Sequence, residues 1–150
     1  LRSNPGGYLN SAILIADLFL SENQEIVSTV KSNGSLNSIL ASSKKNINKN
    51  IYFMTNKGTA SASEILILAL QNHKNVKVYG EKTYGKGSLQ ELLNLSDDSA
   101  LKITVGLWLG PNKKSINKYG ITPDVTVKTS PSDLLNDNDP VLNSILLDTK

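Results

Sequence analysis

The sequence contains no cysteine, which excludes disulfides, zinc–thiolate centres and a thiol nucleophile. Histidine occurs once, as His73 within Gln-Asn-His-Lys-Asn. With no partner cluster, it reads as a polar residue closing a helix and not as a metal ligand or catalytic base. Aromatic residues make up only 5% of the chain, and no Arg-rich run accompanies them. The formal charge of +3 is dispersed apart from the pairs Lys44-Lys45 and Lys113-Lys114, so it describes a solvated face, and no nucleic-acid partner is expected. No apolar run approaches the ~20 residues that a membrane-spanning helix needs, and the sequence shows neither an initiator methionine nor a signal peptide.

What is present suits one domain: 150 residues, of which 39% are hydrophobic, enough to build a core. The spacing predicts an amphipathic helix over residues 8–20, with Leu9, Ala12, Ile13, Ala16, Leu18, Phe19 and Leu20 as its apolar residues. It predicts strands over residues 24–31, 51–55, 76–80 and 125–128, and a hairpin of residues 90–95 and 100–109 across the turn 96–99. Residues 36–50, rich in Ser, Asn and Lys, are expected to form an exposed connection bordering a cleft, with at most a helical turn. Residues 130–138 read as polar loop. Asp139-Pro140 has the cap-then-proline pattern of a helix start, giving a tail helix over 139–147. Strands alternating with helices make an α/β core.

The most informative stretch runs from Gly58 to Gln90. An apolar strand ends at Thr55, Asn56-Lys57-Gly58 breaks it, and a helix follows from Ser61. A hydroxyl at such a turn lies beside unpaired N–H groups and the positive end of the helix, where an oxyanion can be stabilised. Ser61-Ala-Ser-Glu64 also matches a capping box, and on spacing alone a cap is the simpler reading of Ser61. Lys86, between two glycines, would ordinarily be a solvated turn residue. Asn4-Pro5-Gly6-Gly7 would by itself be a plain turn.

Taken together, Gly58-Thr-Ala-Ser61-Ala-Ser-Glu64, Gly80-Glu-Lys-Thr-Tyr-Gly-Lys86-Gly-Ser-Leu-Gln90, Leu1-Arg-Ser-Asn-Pro-Gly-Gly7 and Gly120-Ile-Thr-Pro-Asp124 resemble the carboxyl-terminal processing proteases, serine peptidase family S41. The resemblance implies a Ser/Lys dyad: Ser61 as nucleophile, Lys86 as general base and Gln90 assisting the lysine. It implies an oxyanion hole from Gly6 or Gly7 together with Ala62. It implies a ClpP/crotonase-like catalytic core of mixed sheet and helices, of which residues 1–150 are the C-terminal portion. Leu1 is then expected at the end of a core strand, with further sheet and a peptide-binding PDZ domain upstream in the full-length protein. A protein or peptide substrate cut near its carboxyl terminus, no metal or organic cofactor, an extracytoplasmic (periplasmic or cell-envelope) setting and room for a homo-oligomer follow from the same resemblance.

The chemistry requires a neutral lysine, whereas free lysine titrates near ~10.4. Burial disfavours the ammonium form. The glycines flanking Lys86 are expected to turn its side chain inward, under apolar cover from Tyr84 and Leu89, with the Gln90 amide oxygen holding the nitrogen. Two rivals come from other classes. Residues 80–86 match the opening of a phosphate-cradling P-loop, but the next position, which should be Ser or Thr, is Gly87. A catalytically silent relative that only binds peptide would keep the same motifs.

Overall fold

The computed structural model of the chain describes residues 1–42 and 46–149; the Lys44-Lys45 pair lies outside them. In chain order the elements are α1 (Leu9–Phe19), β1 (Glu25–Lys31), β2 (Leu36–Leu40), β3 (Ile51–Thr55), α2 (Ala62–Gln71), β4 (Val76–Gly80), β5 (Ser88–Asn94), β6 (Ala100–Leu109), β7 (Val125–Thr126), α3 (Pro131–Leu135) and α4 (Pro140–Asp148). The strands form two sheets. One is antiparallel in the order β2-β1-β6-β5, and the other is parallel in the order β3-β4-β7.

Helix α2 sits in the middle. Eight of its ten residues are buried, from Ala62 to Leu70, which is the pattern of a helix enclosed on all sides. One flank packs with Ala12, Ala16 and Leu20 of the α1 segment and Ile26 and Val27 of β1. The other packs Ile67 against Val78 of β4 and against Ile116 and Ile121 of the long loop before β7. The parallel strands β3 and β4 thus end side by side at the turn that starts α2, with Thr55 paired to Gly80. Parallel neighbours joined through a helix bring the loops after both strands to one edge of the sheet, where ligands bind in α/β folds. These are the loops that carry Ser61 and Lys86.

The Asn4 N–H donates to the Leu1 carbonyl at 3.2 Å, which closes the turn that follows Leu1. Three expectations differ from the structure. Residues 36–40 are a strand, β2, held to β1 by backbone pairing although most of its side chains are exposed. It lies at the far edge of its sheet from β5, so it does not border the Gln90 cleft. Leu18 is exposed, because α1 has only one covered face. Residues 131–135 form a short helix, started by Ser130 and Asp133 in a reciprocal capping box with Pro131 at the first turn.

The tail helix α4 lies against β3 and β4, with Val141 and Ile145 packed on Tyr79. Asp139 caps it, accepting from the Leu142 N–H at 3.0 Å, and receives both Arg2 guanidinium nitrogens at 2.9 and 2.5 Å. The Arg2 hydrogen bonds, opposed by partial burial and aided by the cap N–H groups, hold the Asp139 carboxyl below its ordinary range. Because the folded-state value is depressed, the contribution is present above the ordinary carboxyl range and is lost as pH falls through the folded value. Loss of the cap in Asp139→Ala is expected to cost about 0.5–2 kcal/mol locally. At neutral pH this should speed hydrogen exchange of the α4 amides roughly 2- to 30-fold in the intact protein, with a smaller difference in acid. Unchanged α4 exchange at neutral pH would show that the pair does not hold the tail.

Candidate active site

Ser61 is the hinge between β3 and α2, and its backbone is in a conformation that L-residues rarely adopt, φ 57° and ψ −123°. Such a conformation costs on the order of 1–3 kcal/mol and persists only where the surroundings enforce it. Here the enforcement is visible on both sides. The Ser61 N–H donates to Glu64 Oε2 at 2.9 Å, and the Ala60 N–H donates to the Asn4 carbonyl at 3.0 Å. Ser61 therefore stands in capping-box relation to Glu64, but only the carboxylate half is a full hydrogen bond. The Glu64 N–H donates to the Ser61 carbonyl at 2.8 Å, and Ser61 Oγ carries no cap hydrogen bond. Among the described residues the Ser61 hydroxyl makes no full hydrogen bond, although it still faces the Glu64 N–H in the capping box.

The 4–7 turn lies directly on this hinge. A Cβ at Gly6 would meet the Ala60 carbonyl at 2.7 Å and the Ala62 nitrogen at 2.8 Å, and its φ is +91°. Only glycine allows that approach. The Gly6 N–H is already used, donating to Asn4 Oδ1 at 2.9 Å. The N–H groups of Gly7 and Ala62 donate to no acceptor among the described residues.

Glu64, which the sequence suggested only as a capping partner, is the centre of the arrangement. Its side chain is fully buried. Besides the Ser61 N–H, Oε2 accepts from the Lys86 N–H at 2.9 Å. Oε1 accepts from the Gly85 N–H at 2.7 Å and from Thr83 Oγ1 at 2.5 Å. One carboxylate thus ties the serine turn to the lysine loop, and all four of its bonds come from those two segments. Nothing in the sequence around Glu64 points to this, because three of the donors lie about twenty residues downstream.

Lys86 departs from expectation. Its side chain is exposed, and Tyr84, expected as its cover, is 68% exposed. The flanking glycines bury the backbone instead of the side chain. A Cβ at Gly85 would meet the Gly120 nitrogen at 2.7 Å, and one at Gly87 would meet the Asn117 nitrogen at 2.7 Å. With the main chain pressed onto the 116–120 loop, the lysine side chain points out into a cleft. Gln90 follows on β5, just past a register shift between Leu89 and Gln90. Such a bulge breaks the two-residue alternation of a strand, and Ser88, Leu89 and Gln90 all line the same cleft as Ser61 and Lys86.

That cleft measures about 260 Å³ and also takes in Gly7 and Ala62, with Lys102 and Trp108 of β6 forming a wall that the sequence did not reveal. The motif residues Ser61, Lys86, Gln90, Gly7 and Ala62 are therefore gathered at one place. Gly6 lies beside them, behind Ser61. His73 is elsewhere, with Nε2 at 2.8 Å from the Glu25 carbonyl. The phosphate-loop rival loses its structural basis, because residues 80–86 lead into strand β5 and not into a helix whose N-terminus could receive phosphate. Among the described residues there is no cluster suited to a metal ion, and no helix is long and apolar enough to cross a membrane.

The fold and the cleft define a mixed α/β protein whose serine and lysine loops meet at the edge of a parallel sheet. The chain belongs to peptidase family S41, whose model matches residues 1–127. It is 41% identical over 143 residues to a carboxyl-terminal-processing protease of Synechocystis sp., covering 89% of this chain and 33% of that protein. It is 38% identical over 125 residues to the carboxy-terminal processing protease CtpA of Bacillus subtilis, covering 83% of this chain and 27% of the relative. Among solved structures, the photosystem II D1 C-terminal processing protease matches with a TM-score of 0.78 and 33% identity, over 89% of this chain and 35% of that one. The chain thus spans about a third of the length of these relatives. Helices α3 and α4 lie beyond the family match.

Proposed function

We propose that the protein is an extracytoplasmic serine endopeptidase acting near the carboxyl termini of protein substrates, and that this chain carries its nucleophile and base. The observation that carries the proposal is the fully buried Glu64 carboxylate, which joins the Ser61 turn and the Lys86 loop so that both open onto one cleft.

In this proposal Lys86, unprotonated, takes the Ser61 hydroxyl proton as Oγ attacks the scissile carbonyl. The negative charge on the tetrahedral oxygen is met by the N–H groups of Gly7 and Ala62. Gly6, its own N–H taken by Asn4, contributes the close approach that sets Gly7 beside Ser61. Collapse expels the amine, which receives its proton from Lys86, and water then releases the acyl group from Ser61 with Lys86 again as base. Gln90 orients the lysine nitrogen. Because Lys86 is exposed in this chain, its desolvation falls to the bound substrate and to parts of the full-length protein outside these 150 residues, an upstream PDZ domain among them.

The test is acid-quenched turnover of an activated peptide ester by the full-length protein, with the acyl adduct located by mass spectrometry. The adduct is expected on Ser61, absent in Ser61→Ala and retained in Ser63→Ala. Ester or peptide cleavage that survives in folded Ser61→Ala protein would overturn the assignment. Peptide binding without any adduct would establish the silent relative instead.

A further inference from the structure

Resting on that function, we propose that the leaving-group side of the substrate is held by a basic subsite in which Lys57 and Lys118 recognise a carboxylate. The direction of the substrate follows from the chemistry. The carbonyl oxygen must face the Gly7 and Ala62 N–H groups, and the departing amine must lie within reach of Lys86 Nζ, so the chain beyond the scissile bond leaves over Lys86. Lys86 and Ser88 line not only the Ser61 cleft but also a larger adjoining one of about 700 Å³. Among the described residues that larger cleft is lined by three lysines, Lys57, Lys86 and Lys118, and by no acidic residue.

Neither Lys57 nor Lys118 has an ion-pair partner among the described residues, whereas Arg2, Lys31, Lys77 and Lys113 each do. Both lysines also sit on backbone that is fixed in place. Lys57 is in a turn pinned by Asn56 Oδ1, which accepts from the Gly58 N–H at 3.0 Å and from the Ser3 N–H at 2.8 Å. Lys118 has φ +67°, a left-handed conformation unusual for lysine, and its N–H donates to the Gly85 carbonyl at 2.8 Å, which anchors it to the lysine loop. A carboxylate entering this cleft meets cations whose main chain is already ordered, so the entropy lost on binding is that of the lysine side chains and not of the loops. The carboxylate can be the free α-carboxylate of a short leaving segment or an Asp or Glu side chain within it. An amide or a lysine at the same place gains nothing or is repelled.

The experiment is equilibrium binding to the full-length Ser61→Ala protein, which does not depend on turnover. Fluorescein-labelled dodecapeptides of one neutral sequence are compared as free acid, as C-terminal amide, and as amide with aspartate placed third from the end. Wild-type loops are expected to favour one or both carboxylate forms over the plain amide by about tenfold, as a charge-assisted contact of ~1.5 kcal/mol gives. The ratio should shrink with added salt. Which carboxylate form binds tighter separates the terminal from the side-chain source. In Lys57→Ser/Lys118→Asn the ratio should fall to about one, and in Lys57→Glu/Lys118→Glu it should invert in favour of a peptide carrying lysine at the third position. Asparagine suits the left-handed backbone at 118. No carboxylate preference, or a preference that persists unchanged in both double variants and so originates elsewhere in the protein, overturns the subsite. Absence of a Ser61 acyl adduct overturns the peptidase reading and leaves these binding ratios to decide the subsite alone.

Discussion

Lys86→Arg in the full-length protein is expected to lose about 10²- to 10⁴-fold in kcat, the range that a positioned general base contributes. Guanidinium stays protonated at any pH the protein survives, so the variant keeps the positive charge and most of the length of the side chain while removing the one property the reaction needs. Little else is disturbed, because the Lys86 side chain is exposed and the loop is held through its backbone by Glu64 and the 116–120 segment. The activity of the unsubstituted enzyme should rise with pH along a single ionisation, and His73→Ala should keep that profile, since His73 contacts the Glu25 carbonyl and lies outside the cleft. The cleft contains one other lysine, Lys102 on β6. If Lys102→Arg silences the enzyme and Lys86→Arg does not, the base is on β6. If the basic limb of the profile vanishes with His73, a histidine mechanism replaces the dyad.

The separation between what the sequence disclosed and what it did not follows the range of the interactions involved. The strand, turn and helix around Ser61 are coded locally, by an apolar run, an Asn-Lys-Gly break and a helix with apolar residues throughout, and they lie where the pattern put them. The β5–β6 hairpin and α4 were legible for the same reason. Strand β2 was not, because Leu-Asn-Ser-Ile-Leu buries little, and its existence depends on a backbone ladder to β1. Helix α3 carries the same cap-and-proline signal that revealed α4, but only five residues follow, too few for a periodicity. At the site, motif spacing identified the residues that meet in the cleft, yet the exposure of Lys86 could not be read from its neighbours. It is set by close backbone contact with Asn117 and Gly120, some thirty residues away.

Glu64→Gln should be the most damaging single-atom change in the molecule. An ionised carboxylate only accepts, and both Glu64 oxygens are surrounded by donors: the Ser61 and Lys86 N–H groups at Oε2, Thr83 Oγ1 and the Gly85 N–H at Oε1. A glutamine amide must turn its NH₂ toward one of these pairs. Facing Oε2's partners, it opposes two backbone N–H groups. Facing Oε1's partners, it opposes the Gly85 N–H and leaves the Thr83 O–H, whose oxygen also accepts from the Ile121 N–H at 2.7 Å, without its carboxylate acceptor. Either orientation leaves one or two buried donors unsatisfied where no buried side-chain polar atom now lacks a partner among the described residues. At ~1–3 kcal/mol for each, the loss is about 1–6 kcal/mol. The strained Ser61 backbone then relaxes and the two loops separate, and a displacement of about 1 Å between reacting groups can cost on the order of 10²-fold in rate. The expected result is a fall in kcat of about that size with a pH–rate profile of unchanged shape, because the proposed base, Lys86, is retained, together with faster hydrogen exchange at both the Ser61 turn and the Gly85–Lys86 amides. A purely structural residue would loosen its own helix and leave the lysine loop protected. Glu64→Asp should behave like Glu64→Gln, since a carboxylate one methylene shorter cannot span both loops, and wild-type kcat in either variant would remove Glu64 from the account of the site.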